Sequence, residues 1–168
     1  MDPSRITLRP FKPSDAHDML SWAGDERVTK SVRWKTLATK EEASIFIDQI
    51  SGPHRWGRSI CIDDRSIGLV TVYVGSGNER CRGEMSYAIG VEHWGKGVAT
   101  VAVKMALPKV FEAFPQILRL QAMTTSENKA SQRVLVKAGF TKEGLLRKYL
   151  YLKGQIQDAV VFSIVVDD

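Results

Sequence analysis

Residues 89–100 read Ile89-Gly90-Val91-Glu92-His93-Trp94-Gly95-Lys96-Gly97-Val98-Ala99-Thr100, a glycine-rich turn between a strand-like segment and a helical one. The first N–H groups of a helix lack intrahelical acceptors and carry the positive end of the dipole, so such a junction suits a pyrophosphate. Glycine at 95 and 97 lets the backbone approach phosphate with no side chain intervening. Two familiar phosphate motifs fail here. Gly90 to Gly97 nearly spells G-x-x-x-x-G-K-S/T, but Gly97 has no hydroxyl for magnesium. The dinucleotide fingerprint G-x-G-x-x-G breaks at position 100, which is Thr. Metal and thiol chemistry have little to work with: Cys61 and Cys81 form no C-x-x-C, and His17, His54 and His93 are the only imidazoles. Cys61 lies in the apolar run Ser59-Ile60-Cys61-Ile62 and reads as a small core residue.

The elements that must hold this turn follow from periodicity. Ile6 to Pro10 alternates apolar and polar and reads as a short strand. Ser14-Asp15 opens a helix carrying Ala16, Met19, Leu20 and Ala23, stopped at Gly24. Thr39 with Glu42 has the form of a capping box ahead of a second helix that ends near Gly52-Pro53. Strands at 58–62 and 67–74, joined at Asp63-Asp64-Arg65, make a hairpin, and 84–91 alternates as a fourth strand. A long helical pattern then runs to Phe114, with Pro108 predicting a kink or a break. A fifth strand over 118–123, a helix from Ser126-Glu127-Asn128 to Gly139, and strands around 140–151 and 156–166 complete the order. One domain, 1–168, is expected, built on a mixed sheet with helices on both faces.

With that order in place, Trp94 to Ala99 resembles the coenzyme loop Q/R-x-x-G-x-G/A of the GNAT superfamily of acetyltransferases, matching at Gly97 and Ala99 and departing at Trp94. The form W-G-K-G-x-A-T resembles the branch containing the Rim-type ribosomal-protein N-terminal acetyltransferases and related small-amine acetylases. Ile6-Thr7-Leu8-Arg9-Pro10, Asn128-Lys129-Ala130-Ser131 and Val136-Lys137-Ala138-Gly139-Phe140 resemble the same branch, so the likeness spans nearly the whole chain in order. The resemblance implies a GNAT-like α+β fold, its central sheet mixed but mostly antiparallel, with a splay between the fourth and fifth strands. It also implies acetyl-CoA as co-substrate, with no metal. Backbone at Ile89, Gly90 and Val91 would hold pantetheine, and the N–H groups of Lys96, Gly97, Val98, Ala99 and Thr100 the pyrophosphate. Asn128 would bond the coenzyme's arm, and Ser131 would sit near the thioester sulfur.

A primary amine is largely protonated at neutral pH, so attack on a thioester needs a base. Glu84, at the start of the fourth strand where related enzymes often place a carboxylate, is the first choice, and a backbone N–H near Ile89 would hold the oxyanion. Ser131 is the candidate for helping the thiolate leave, with Tyr87 and Tyr149 as competitors. No Cys–His pair is evident, so direct transfer to the amine is expected rather than an acetyl-enzyme. Acceptor choice is assigned to 25–36 and to the last hairpin, 148–157, with Trp34 and Tyr149 as lining candidates. A protein N-terminus or another small amine is the expected acceptor. The alternatives are a polyamine acetyltransferase, or a coenzyme-binding regulatory module without turnover.

Composition bounds these readings. Of 168 residues, 43% are hydrophobic and 26% charged, as in a folded globular chain. No apolar run approaches the roughly 20 residues a bilayer demands, and the N-terminus has no signal-like core, so a cytoplasmic protein is expected, with the nucleus left open. The net charge of +5 comes from dispersed Lys and Arg, with no five-residue basic block. A nucleic-acid partner is therefore not expected, and coenzyme phosphates give part of the charge a use. The sequence leaves monomer and homodimer both open.

Overall fold

A computed structural model describes residues 1–166. The alternating segments form seven strands: β1 (Ile6–Arg9), β2 (Arg55–Ile62), β3 (Arg65–Val74), β4 (Arg82–Ile89), β5 (Arg119–Thr125), β6 (Thr141–Leu152) and β7 (Gln155–Val165). The helices are α1 (Asp15–Ala23), α2 (Glu26–Thr29), α3 (Lys40–Ile50), α4 (Val98–Ala113) and α5 (Lys129–Ala138). All seven strands join one sheet in the order β1-β2-β3-β4-β5-β7-β6, and β4–β5 is its parallel pair. The two tightest hairpins have local causes. Asp63 and Asp64 (φ 51° and 64°), and Lys153 and Gly154 (φ 48° and 81°), are two-residue connections with left-handed backbone at both positions. That backbone twist matches the twist of the flanking strands.

Strand alternation divides the apolar residues between two cores. Val70, Val72, Met85, Ile89, Leu120, Ala122, Val160 and Phe162 pack under α4 and α5. Leu69 turns to the other face and joins Met19, Trp22, Ala43 and Ile47 of α1 and α3. Two departures from sequence expectation stand out. The short helix α2 occupies part of the segment between the two expected helices, capped by the Asp25 side chain on the Arg27 N–H. Pro108 neither breaks nor ends α4. It lies on the exposed side of the helix, as does Lys104, whose carbonyl loses the bond that Pro108 cannot donate.

Candidate active site

The glycine-rich turn after β4 has the geometry its glycines suggest. Gly95 and Gly97 have φ of 70° and 77°, a region costly for side-chain-bearing residues, and a Cβ at either position would meet open space. Gly97 caps α4 and its carbonyl accepts from the Val101 N–H, so the N–H groups of Val98, Ala99 and Thr100 precede the first intrahelical bond. Buried Val98 anchors this end to the core. Trp94, the position where the loop departs from the GNAT pattern, donates its indole N–H to the Ile89 carbonyl at 2.9 Å and ties the turn to the end of β4. Lys96 Nζ donates to the Glu92 carbonyl at 2.6 Å.

Beside this turn the sheet opens. β4 and β5 pair only at Arg82–Arg119, Gly83–Leu120 and Glu84–Gln121, although β4 continues to Ile89 and β5 to Thr125. Which backbone groups line the gap follows from the pairing with β3. Gly90 N–H donates to the Ile67 carbonyl at 2.8 Å and Gly75 N–H to the Arg82 carbonyl at 3.0 Å. Gly68–Ile89 and Val74–Gly83 are therefore non-hydrogen-bonded pairs, and the register between them has no shift. The N–H and C=O groups of Met85, Tyr87 and Ile89 accordingly point away from β3; the Glu84–Gln121 pairing takes the Met85 N–H and Trp94 takes the Ile89 C=O, which leaves the Met85 C=O, both Tyr87 groups and the Ile89 N–H toward the gap. Gly90, expected as a holder, has its N–H and C=O committed to Ile67 and His93, whereas the Met85 and Tyr87 backbone was not foreseen.

The candidate side chains approach this gap from opposite faces. Met85 and Ile89 belong to the α4–α5 core, and Tyr87 packs against it, so Glu84, Ser86 and Ala88 face the α1–α3 side. On that side Glu84 Oε2 accepts from Gln121 Nε2 at 3.3 Å, and Oε1 lies 3.9 Å from Arg33 Nη2. On the other face Tyr87 donates its hydroxyl to the Ser131 carbonyl at 3.1 Å, bridging β4 to the first turn of α5. Burial pushes the Tyr87 hydroxyl up to about 12, despite its bond to Ser131, so it stays protonated and donating. Asn128 caps α5, its Oδ1 accepting from the Ser131 N–H at 3.1 Å. Its Nδ2 has no hydrogen-bond partner among the described residues.

The two segments assigned to the acceptor do meet: Lys153 Nζ donates to the Trp34 carbonyl at 2.7 Å. Trp34 is a packing residue, edge-on to Trp22 at 6.3 Å and tilted against Phe46 at 5.0 Å, which holds the α2–α3 segment in place. Tyr149 is half exposed. It lines a hollow of about 690 Å³ with Leu145, Leu146, Arg147, Lys148 and Asp158, beside a bulge in β6. β7 separates that strand from β5. Cys61 is fully buried, and burial pushes its thiol up, which disfavours the thiolate a nucleophile needs. Arg33, Gln121 and Trp94 carry no sequence signal for their roles, since each acts through a contact that the fold creates.

With this geometry established, the chain can be set beside known proteins. Residues 5–141 match the family described as the acetyltransferase (GNAT) domain. The chain is 32% identical over 173 residues to the probable N-acetyltransferase YjcK of Bacillus subtilis, covering 97% of this chain and 95% of that protein. It is 32% identical over 84 residues to the ribosomal protein uS5 alanine N-acetyltransferase of Escherichia coli, covering 50% of this chain and 43% of that protein. Among solved structures, RimL, a ribosomal L7/L12 alpha-N-protein acetyltransferase in complex with coenzyme A, superposes with a TM-score of 0.85 at 17% identity, covering 98% and 96% of the two chains.

Proposed function

The chain belongs to the GNAT acetyltransferases, and from that premise we propose that it transfers an acetyl group from acetyl-CoA directly to a primary amine, with the reaction centred on the gap between β4 and β5. One observation carries this reading: pairing of the two strands ends at Glu84–Gln121, so the Met85 C=O and the Tyr87 N–H and C=O beyond it offer strand-like hydrogen bonds to an extended ligand. The Lys96 to Thr100 backbone, opened by left-handed Gly97, suits the pyrophosphate at the helix terminus. Asn128 offers its Nδ2 to the coenzyme arm, while its oxygen is spent on the cap. Ser131, on the α5 side, is the donor assigned to the departing thiolate. Tyr87, its hydroxyl turned to the Ser131 carbonyl, is the alternative.

Glu84 is assigned as general base, taking a proton from the incoming ammonium on the α1–α3 face. The neutral amine then attacks the thioester carbon, the Ile89 N–H stabilises the oxyanion, and collapse expels the thiolate, which takes the nitrogen's second proton by way of the Ser131 hydroxyl and leaves as free thiol. Charge supports a peptide N-terminus or a small monoamine over a polyamine. Of the carboxylates near the acceptor segment, Asp25 is paired with Arg27 and Glu42 with Lys35, Arg33 lies against Glu84, and exposed Glu26 is the one carboxylate of 25–36 with no basic partner among the described residues. A polycation needs several unpaired carboxylates. The relatives are bacterial and the co-substrate is an intracellular metabolite, which supports a cytoplasmic location and gives a nuclear one no support. The test is release of free thiol from acetyl-CoA against a panel of N-terminal peptides, monoamines and spermidine. Turnover with peptides or monoamines is expected, turnover with spermidine alone would reverse the acceptor ranking, and binding without release to any amine would favour a regulatory module.

A further inference from the structure

Glu84 is the end of a chain of side chains drawn from four strands. Ser163 on β7 donates its hydroxyl to Glu143 Oε1 on β6. Glu143 clamps the Arg119 guanidinium with both oxygens, at 2.6 and 2.7 Å. Arg119 Nε donates to Gln121 Oε1 at 3.3 Å, and Gln121 Nε2 donates to Glu84 Oε2 at 3.3 Å. The order of these bonds is forced by chemistry. A guanidinium only donates and a carboxylate only accepts, so a glutamine between them satisfies both in one orientation, with oxygen toward Arg119 and nitrogen toward Glu84.

Resting on the assignment of Glu84 as base, we infer that Gln121 is a positioning residue for the transfer, its amide orientation set by Arg119 and Glu143. A donor fixed on Oε2 holds the carboxylate's rotamer and leaves Oε1 to the acceptor. Arg33 lies 3.9 Å from Oε1, is largely exposed and shares no shorter bond with Glu84, so the incoming ammonium displaces it without breaking a buried pair. The charged or titratable groups facing Glu84 are Arg33 from the α2–α3 segment, Arg82 on its own strand, Arg119 from β5 and Tyr73 opposite it on β3. Gln121 stands between Glu84 and Arg119, so a change at 121 alters how these charges reach the base.

Two variants test this. Gln121→Glu sets a second carboxylate against Glu84, and like charge disfavours ionisation, so the acid limb of the kcat profile should move up by about one pH unit or more. Gln121→Met keeps the volume and removes the donor, so kcat at neutral pH should fall about three- to tenfold with acetyl-CoA affinity unchanged in calorimetry. A purely structural role would lower the melting temperature of both variants and leave the pH profile in place. Glu84→Gln, measured in parallel, separates the two claims. Wild-type turnover in that variant overturns the base assignment and the positioning with it. An impaired Glu84→Gln beside Gln121 variants with wild-type profile and kcat overturns the positioning alone. Should Gln121→Glu fail to fold, Gln121→Met decides through kcat.

Discussion

At the scale of single residues, Gly97 and Glu84 carry the sharpest expectations. Gly97→Asp sets a negative side chain where phosphate is expected and strains a left-handed φ of 77°. Acetyl-CoA affinity should fall at least about tenfold, roughly 1.4 kcal/mol, in calorimetry on folded protein. Unchanged affinity would remove the turn from the coenzyme site. Glu84→Gln keeps size while removing basicity, so turnover should drop on the order of 10²-fold and recover in part at high pH, where free amine forms unaided. A flat comparison with wild type across pH would point to another base. Both positions are candidates already in the sequence, Gly97 from its place between strand and helix and Glu84 from the family pattern. Arg33 and Gln121 are not, because they reach Glu84 across 51 and 37 positions of chain, and only the folded sheet brings them there.

At the scale of elements, the capping pattern at α3 was read correctly but its bonds differ in detail. Thr39 Oγ1 accepts from the Glu42 N–H at 3.1 Å, while Glu42 reaches past the cap to the Ala38 N–H at 2.7 Å. Thr39→Ala should cost about 1 kcal/mol and lower the melting temperature by roughly 2–4 °C, with Thr39→Asp close to wild type. Equal melting curves for Thr39→Ala and wild type would show that packing of Ala43 and Ile47 alone sets the helix. The element order follows from periodicity and turn residues. What periodicity missed has physical causes: four-residue α2 is too short to show a period, and the tolerance of Pro108 depends on which side of α4 meets solvent. Likewise, the bulge in β6 turns on Lys148, a non-glycine residue at φ 49° whose N–H donates to Asp158, and composition gives no warning of it.

At the scale of the whole molecule, Arg9 ties β1 to two other places. It makes a bidentate pair with buried Asp15 at the start of α1 and bonds Asp64 in the β2–β3 turn. Burial pushes the Asp15 carboxyl up, but the bonds from Arg9 and from the Lys12 N–H outweigh it and hold the group below its usual range. A depressed carboxylate adds stability above its unfolded value near 3.8, and that stability is lost as pH falls through the folded value. Asp15→Asn should therefore destabilise by about 2–3 kcal/mol at neutral pH and flatten the acid limb of the stability curve, read by denaturant melts across pH. A wild-type acid limb in that variant would assign acid unfolding to other carboxylates. The same sheet that Arg9 braces separates Glu84 on one face from Ser131 on the other, with the open gap between them. On the proposed mechanism amine and coenzyme occupy the site together, and transfer passes through no acetylated enzyme. The most direct test is the initial-rate pattern of thiol release with acetyl-CoA and a peptide or monoamine acceptor varied against each other. Double-reciprocal lines that intersect, as simultaneous binding requires, are the predicted result; parallel lines, the pattern of an acetyl-enzyme intermediate, would contradict direct transfer.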